Sequence, residues 1–249
     1  MEKWEEALQD ARAYAVRRAQ SLRAPARVTP PETAFRGQLM PFQQQGLAFL
    51  LNNPRALLAD EMGLGKTVQA LSLVAATGGY PVLLVCPPHL IRNWQREAQR
   101  FLSPEGGLRV HVLREADFYI VHYLLLRGWK QALPKAGFRP VIFDEIQELR
   151  HAGTEKYSAA SLISDACDRV VGLSGTPIYN NGGEIWNVIN ILDFHFLGDW
   201  ESFTREWCYG YNSAVVAKPD LLGEHLRREG MMLRRTKQQV LSELPPKRR

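Results

Sequence analysis

Leu58-Ala59-Asp60-Glu61-Met62-Gly63-Leu64-Gly65-Lys66-Thr67-Val68-Gln69 joins an apolar stretch to an amphipathic one. Residues 56–59 are an unbroken run of Ala and Leu, the pattern of a buried strand. Residues 66–77 read as a helix closed by Gly78-Gly79. A strand, a glycine turn and a helix in that order can cradle phosphate. Gly63 and Gly65 let backbone amides turn inward, and the helix start adds its positive dipole end. Lys66 reaches for terminal phosphates, and the Thr67 hydroxyl suits magnesium. The usual pattern has glycine where this chain has Asp60. On the motif alone, a glycine turn before an ordinary helix is the competing reading.

Working outward, the alternation continues. A short helix is expected after Pro41, ending near Asn52 and Asn53. Val82-Leu83-Leu84-Val85-Cys86 is wholly apolar and predicts a buried strand. A helix is predicted over 89–102, with Ile91, Trp94, Ala98, Phe101 and Leu102 on one face. Further strands are expected at 109–113, 118–123, 141–143 and 170–173, and the chain turns mostly helical after Thr176. Continuous apolar strands between amphipathic helices predict an α/β fold, a parallel sheet covered on both faces. Such sheets bind ligands at the carboxyl ends of their strands. Upstream, 2–22 has helical spacing, and Pro25, Pro30 and Pro31 mark a linker.

The bulk composition is that of a globular protein. The chain has 249 residues, 45% hydrophobic and 23% charged, enough for a buried core. No apolar run approaches a membrane span, and the charged first 22 residues resemble neither a signal peptide nor an anchor. Cys86, Cys167 and Cys208 lack metal-type spacing and read as reduced thiols. The net charge of +5 is unevenly placed. Residues 225–249 hold eight Lys/Arg and two Glu, giving +6, whereas the preceding 224 hold 23 basic and 24 acidic residues, giving −1. A basic end suits a phosphate backbone, though a solvated tail has the same composition.

Pro140-Val141-Ile142-Phe143-Asp144-Glu145 is an apolar run ending in two carboxylates, 77 positions after Thr67. Magnesium keeps several waters, so one carboxylate beside a phosphate loop suffices to hold it. Asp144 is the expected metal residue and Glu145 the group that positions or deprotonates a water. Acids also favour helix N-termini, so the pair acquires this meaning only beside the phosphate loop. The six histidines show no metal spacing, and no nucleophile triad is evident.

Taken in order, these segments resemble the Swi/Snf family of DNA-dependent ATPases in helicase superfamily two. Leu39-Met40-Pro41-Phe42-Gln43 is similar to the family's glutamine motif, which implies that Gln43 reads adenine. The loop from Leu58 to Gln69 is close to the family's own, where Asp also replaces the first glycine; Asp60, Gly63, Leu64, Gly65, Lys66 and Thr67 become nucleotide-binding residues. Val85-Cys86-Pro87 with Asn93-Trp94 and Glu97 resembles the motif that lies along a DNA strand, making Arg92 and Asn93 candidate nucleic-acid contacts. Asp144-Glu145-Ile146-Gln147 resembles the acidic motif, with Gln147 where the family usually has His, so the titratable group is lost. Leu173-Ser174-Gly175-Thr176-Pro177 with Asn180-Asn181 and Glu184-Ile185-Trp186-Asn187 resembles the motif coupling hydrolysis to DNA, and implies nucleic-acid roles for Ser174, Gly175 and Thr176. Leu233-Arg234-Arg235-Thr236-Lys237 and Leu244-Pro245-Pro246-Lys247 resemble the end of the first lobe and the start of the inter-lobe linker.

The resemblance implies a RecA-like lobe over 35–240, helical after about 178, with 1–34 as an N-terminal helix and linker and 241–249 as the start of the inter-lobe linker. It implies ATP and Mg2+ as ligands, duplex DNA as partner, and a second RecA-like lobe, in the same longer protein or a separate chain. That second lobe carries arginines worth on the order of 10³–10⁵ in rate in related hydrolases, so this lobe alone is expected to be inactive or very weak. Cytoplasmic location with a bacterial or phage source is expected from the compact, Ala/Arg/Leu-rich chain, or nuclear location in a eukaryote. A stand-alone nucleotide-binding interaction module and an RNA-directed motor are the alternatives. Spacing assigns Trp94 and Trp186 to the core, and leaves Arg234, Arg235 and Lys237 between DNA contact and bracing of the lobes.

Overall fold

The computed structural model describes residues 27–102, 109–111, 116–176, 181–194, 196–210, 214–240 and 242. The helix expected over 2–22, the distal part of the strand at 109–113, Pro177 to Asn180 and the linker start at 244–247 lie outside the described residues.

Among the described residues the elements run α1 (Pro41–Asn52), β1 (Arg55–Leu58), α2 (Lys66–Thr77), β2 (Val82–Cys86), α3 (Ile91–Phe101), β3 (Val110–His111), β4 (Phe118–His122), α4 (Leu126–Trp129), β5 (Pro140–Asp144), α5 (Glu155–Ala166), β6 (Arg169–Leu173), α6 (Gly182–Leu192), α7 (Trp200–Trp207), α8 (Pro219–Arg228) and β7 (Met232–Leu233). Seven strands form one sheet in the order β3-β4-β2-β5-β6-β1-β7, and all their pairings are parallel.

Local chemistry accounts for the element boundaries. Pro41 starts α1, where its missing N–H is not needed, and Gln43 Oε1 accepts the Met40 N–H at 3.0 Å. Left-handed Gly78 stops α2. Helix α3 exposes Arg92, Asn93 and Arg96 while burying Trp94 and Ala98. The predicted helix over 89–102 begins instead as a 3-10 turn at Pro88–Leu90.

Strands β2 and β5 are buried at every residue, so the sheet is covered on both faces. Alternate residues serve opposite cores. Leu57, Leu83, Val85, Val141 and Phe143 face α5 and α6, whereas Leu58, Leu84, Cys86, Ile142 and Leu173 face α1, α2 and α3. Each buried side chain of this size contributes about 1.5–3 kcal/mol. The three cysteines are free and buried, and burial pushes the Cys86 and Cys167 thiols up to about 12.

Among the described residues after 178 the chain is mostly helical, as expected, with one addition. Met232 and Leu233 form β7, pairing with Leu57 and Leu58 at the sheet edge. Two residues are too short for a periodicity signal, so only the partner strand reveals it.

Candidate nucleotide site at the carboxyl edge of the sheet

Sheet register brings the separated motifs together. Leu58 pairs with Leu173, and Leu173 pairs with Asp144. The phosphate loop, the Ser174 segment and the acidic pair therefore leave three adjacent parallel strands, β1, β6 and β5, at one level of one edge. The Ser174 N–H donates to the Leu58 carbonyl at 3.2 Å, which fixes that level.

Gly63 and Gly65 adopt φ of 87° and 72°, where a Cβ is disfavoured. Gly65 caps α2 with its backbone alone, and the first turn of α2 holds no acidic residue. The helix start thus carries no acidic side chain of its own turn, a donor set that fits phosphate. Thr67 is the second residue of α2. Leu64 turns its side chain inward against Phe42 and Val240, so only its backbone faces the loop.

Lys66 Nζ donates to the Asp60 carbonyl at 2.8 Å. Burial lowers its pKa, and the charges of Glu145, Asp60 and Asp144 push it back up. Gly175 lies close by: a Cβ there would sit 3.6 Å from Lys66 Nζ and 2.7 Å from Met62 Cγ.

Asp144 is nearly buried, and its carboxyl pKa is raised by that burial. Two donors oppose the shift: Trp94 Nε1 donates to Oδ2 at 2.7 Å and the Glu145 N–H to Oδ1 at 3.0 Å. Tyr123 Oη donates to the Asp144 carbonyl at 2.8 Å. Glu145 has φ 53° and ψ 53°, the one left-handed non-glycine among the described residues. Such a conformation costs on the order of 1–3 kcal/mol and concentrates at functional sites. Gln147 Nε2 donates to Glu145 Oε2, while Gln147 Oε1 is buried with no partner among the described residues. Gln147 lines a small cavity with Ser174, Thr176, Ile185 and Val188.

Several expected roles change. Asp60 is no open ligand carboxylate: it is fully buried and bound by Arg235 and Gln69. Ser174 and Gly175 are buried, so neither offers a nucleic-acid surface; of that trio only Thr176 is exposed. Its N–H donates to Ser174 Oγ at 3.3 Å. Gln43 has both amide ends engaged, Oε1 by Met40 and Nε2 by the Leu64 carbonyl at 3.4 Å. A second lone pair on Oε1 and a second N–H on Nε2 remain for contact with a base. Arg92 and Asn93 stand exposed in the first turn of α3, as expected.

Two residues escaped the sequence reading. Trp94 is core, as its spacing indicates, but its indole N–H also serves Asp144. Arg235 is buried rather than facing DNA. Nothing in local spacing links it to Asp60, 175 positions away.

Trp94→Phe keeps the ring and deletes the donor to Asp144. A bond to a charged acceptor is worth about 1.5–3 kcal/mol, and that loss is expected at neutral pH. Because the folded pKa of Asp144 is raised, its charge opposes folding above that pKa and not below the unfolded value. The destabilisation should therefore shrink as pH falls towards the ordinary carboxylate range. Thermal unfolding of both proteins across pH checks this; an equal loss at all pH values would contradict it.

The fold is that of a RecA-like lobe, by its strand order and by its likeness to a solved structure. That structure, "Sulfolobus solfataricus SWI2/SNF2 ATPase core in complex with dsDNA", superposes with a TM-score of 0.73 at 24% identity, over 88% of this chain and 49% of that one. The SNF2-related domain matches residues 42–249, and the chain belongs to that family.

Relatives include the SWI/SNF-related matrix-associated actin-dependent regulator of chromatin subfamily A-like protein 1 of Bos taurus, 33% identical over 84% of this chain and 24% of its own length. Its Caenorhabditis elegans homolog is 30% identical over 85% of this chain and 33% of its own. The human DNA annealing helicase and endonuclease ZRANB3 is 30% identical over 86% and 22%. The chain thus spans a third or less of these relatives. They are animal proteins and lend no support to a bacterial or phage source. Among the described residues no helix is long and apolar enough to cross a membrane.

Proposed function

We propose that residues 35–240 are the ATP-binding first lobe of a DNA-dependent ATPase that moves on duplex DNA, completed by a second RecA-like lobe. The observation that carries this reading is the alignment of the phosphate loop, Ser174 and the acidic pair on three adjacent strand ends. Membership of the SNF2-related family supports it.

In this reading the backbone of residues 63–66 and the Lys66 ammonium bind the phosphates of ATP. Asp144 and the Thr67 hydroxyl would hold a magnesium ion that accompanies ATP. When bound, that ion neutralises charge on the phosphate oxygens. Glu145 Oε1, the oxygen that Gln147 leaves free, accepts a proton from the attacking water. Gln147 fixes the carboxylate without titrating, so coupling through it is independent of pH in the neutral range. Arg92 and Asn93 offer a cation and an amide to a DNA strand, and buried Trp94 ties their helix to Asp144.

Steady-state ATP hydrolysis tests the reading, measured on this chain and on a form carrying the second lobe, with and without duplex DNA. Duplex DNA is expected to raise hydrolysis by the two-lobe form, and duplex RNA to leave it unchanged. Hydrolysis indifferent to DNA in the two-lobe form would remove the motor assignment.

A further inference from the structure

The two limbs of the phosphate loop hang from different parts of the fold. The second limb is held from α1 and α2: the Leu64 carbonyl accepts from Gln43 Nε2 at 3.4 Å and Gln69 Nε2 at 3.2 Å. The first limb, residues 59–61, takes bonds from Gln69 Nε2 to Asp60 Oδ2 at 3.2 Å and from Lys66 Nζ to the Asp60 carbonyl at 2.8 Å, and its other bonds from a segment late in the chain. Ala59 N–H donates to the Leu233 carbonyl at 2.7 Å, and its own carbonyl accepts from Arg234 Nη1 at 3.1 Å. Asp60 Oδ1 accepts from both the Arg235 N–H and Arg235 Nε at 3.0 Å, while Oδ2 accepts from Arg235 Nη2. Glu61 N–H donates to the Arg235 carbonyl at 2.9 Å, and the Glu61 carboxylate accepts the Lys237 N–H at 2.7 Å.

This bonding continues beyond the sheet. Strand β7 needs only Met232 and Leu233, yet the segment runs on beside the loop after β1 has ended. Lys237 Nζ lies 3.6 Å from where a Gly63 Cβ would stand, and Val240 packs on Phe42 and Leu64. Arg235 joins the supports of both limbs. Its Nη1 donates to the Phe42 carbonyl and its Nη2 to Gln69 Oε1, the latter at 2.9 Å. The space is closed tightly enough to demand Gly46, whose Cβ would fall 1.7 Å from Gln69 Oε1. A guanidinium presents its donors in a rigid plane, so this contact fixes orientation as well as charge. Most of the bonds on the first limb come from this strap, at Ala59, Asp60 and Glu61 alike, so a movement of that limb disturbs the strap.

The geometry points to residues 231–240 as a nucleotide-responsive tether, with Arg235 the positioning residue that holds the phosphate loop in its binding shape. Nucleotide on the loop in turn stiffens the strap that leads out of the lobe. Thermodynamic linkage makes the two effects one: whatever the strap lends to nucleotide affinity, nucleotide returns to the strap. The inference rests on the nucleotide-binding reading above.

The double variant Asp60→Asn/Arg235→Gln tests it, because both charges go together and neither is stranded. Folding is followed by circular dichroism, and affinity by titration with a fluorescent ATP analogue and Mg2+. The dissociation constant is expected to rise about tenfold or more, and Arg235→Lys, which keeps charge without the fork, should not match the wild type. In the wild-type chain, saturating MgATP should slow amide exchange at Ala59, Glu61, Arg235 and Lys237. Wild-type binding with a double variant within about twofold of it would overturn the tether, as would strap exchange indifferent to nucleotide. The exchange experiment decides alone if the double variant does not fold. A wild-type chain that binds no MgATP sinks the nucleotide reading itself, and the tether with it.

Discussion

Lys66→Ala is expected to weaken MgATP binding by about 10²-fold or more, while leaving the lobe as stable as before. The affinity follows from charge-assisted bonds, each worth about 1.5–3 kcal/mol, of which an ammonium on terminal phosphates makes two or more. The stability follows from burial, which lowers the Lys66 pKa below its ordinary value of 10.5. A lysine shifted down is destabilising while charged: the fold gains stability as pH rises through the folded pKa and loses it as pH falls. At neutral pH the ammonium therefore opposes folding. Alanine also suits the first turn of α2. Its melting temperature should equal or exceed that of the wild type. Calorimetric titration beside a thermal melt reads both quantities. Unchanged affinity would remove Lys66 from the site, and a large fall in melting temperature would show that the residue is structural.

Arg235→Ala should have the opposite signature. It removes the main partner of a carboxylate with no solvent exposure, leaving Asp60 Oδ2 with Gln69 Nε2 at 3.2 Å and Oδ1 without the Arg235 side chain. Breaking a buried ion pair from one side costs about 3–5 kcal/mol. In a domain of this size that corresponds to roughly 6–20 °C in melting temperature. Adding Asp60→Asn to Arg235→Ala should recover part of the loss, because the stranded charge disappears. A double-mutant cycle in urea measures this coupling. Additive losses would mean that the pair does not act as a unit.

The contrast between these two residues follows from their surroundings. Lys66 is held in a partly buried place where its charge is uncomfortable, as expected of a group kept for a ligand. Arg235 donates to Asp60, Phe42 and Gln69 and belongs to the scaffold of the loop. The left-handed backbone at Glu145, just past the end of β5, is likewise a local cost to the fold, of the kind that concentrates at functional sites.

Much of this was legible in the sequence because it is local. Apolar runs such as 82–86 and 141–143 announced buried strands. Pro41, Gly65 and Gly78 announced helix ends, and Gly63 and Gly65 a left-handed turn before a helix, since dihedral freedom and hydrophobic periodicity are properties of neighbouring residues. The carboxylates of Asp144 and Glu145 could be paired with that cradle only through the shared order of motifs. The rest depended on which strands lie side by side. Register set Leu58, Leu173 and Asp144 level, and the closing of the sheet by β7 carried Arg235 to Asp60. Packing of α3 turned Trp94 from a core side chain into a donor for Asp144. Burial of Ser174 and Gly175, and the bond from Gln43 Nε2 to the Leu64 carbonyl, likewise come from elements apart in the chain. Hydrogen bonds between residues 50 to 175 positions apart leave no periodic trace. They exist only once the core has brought the strands together.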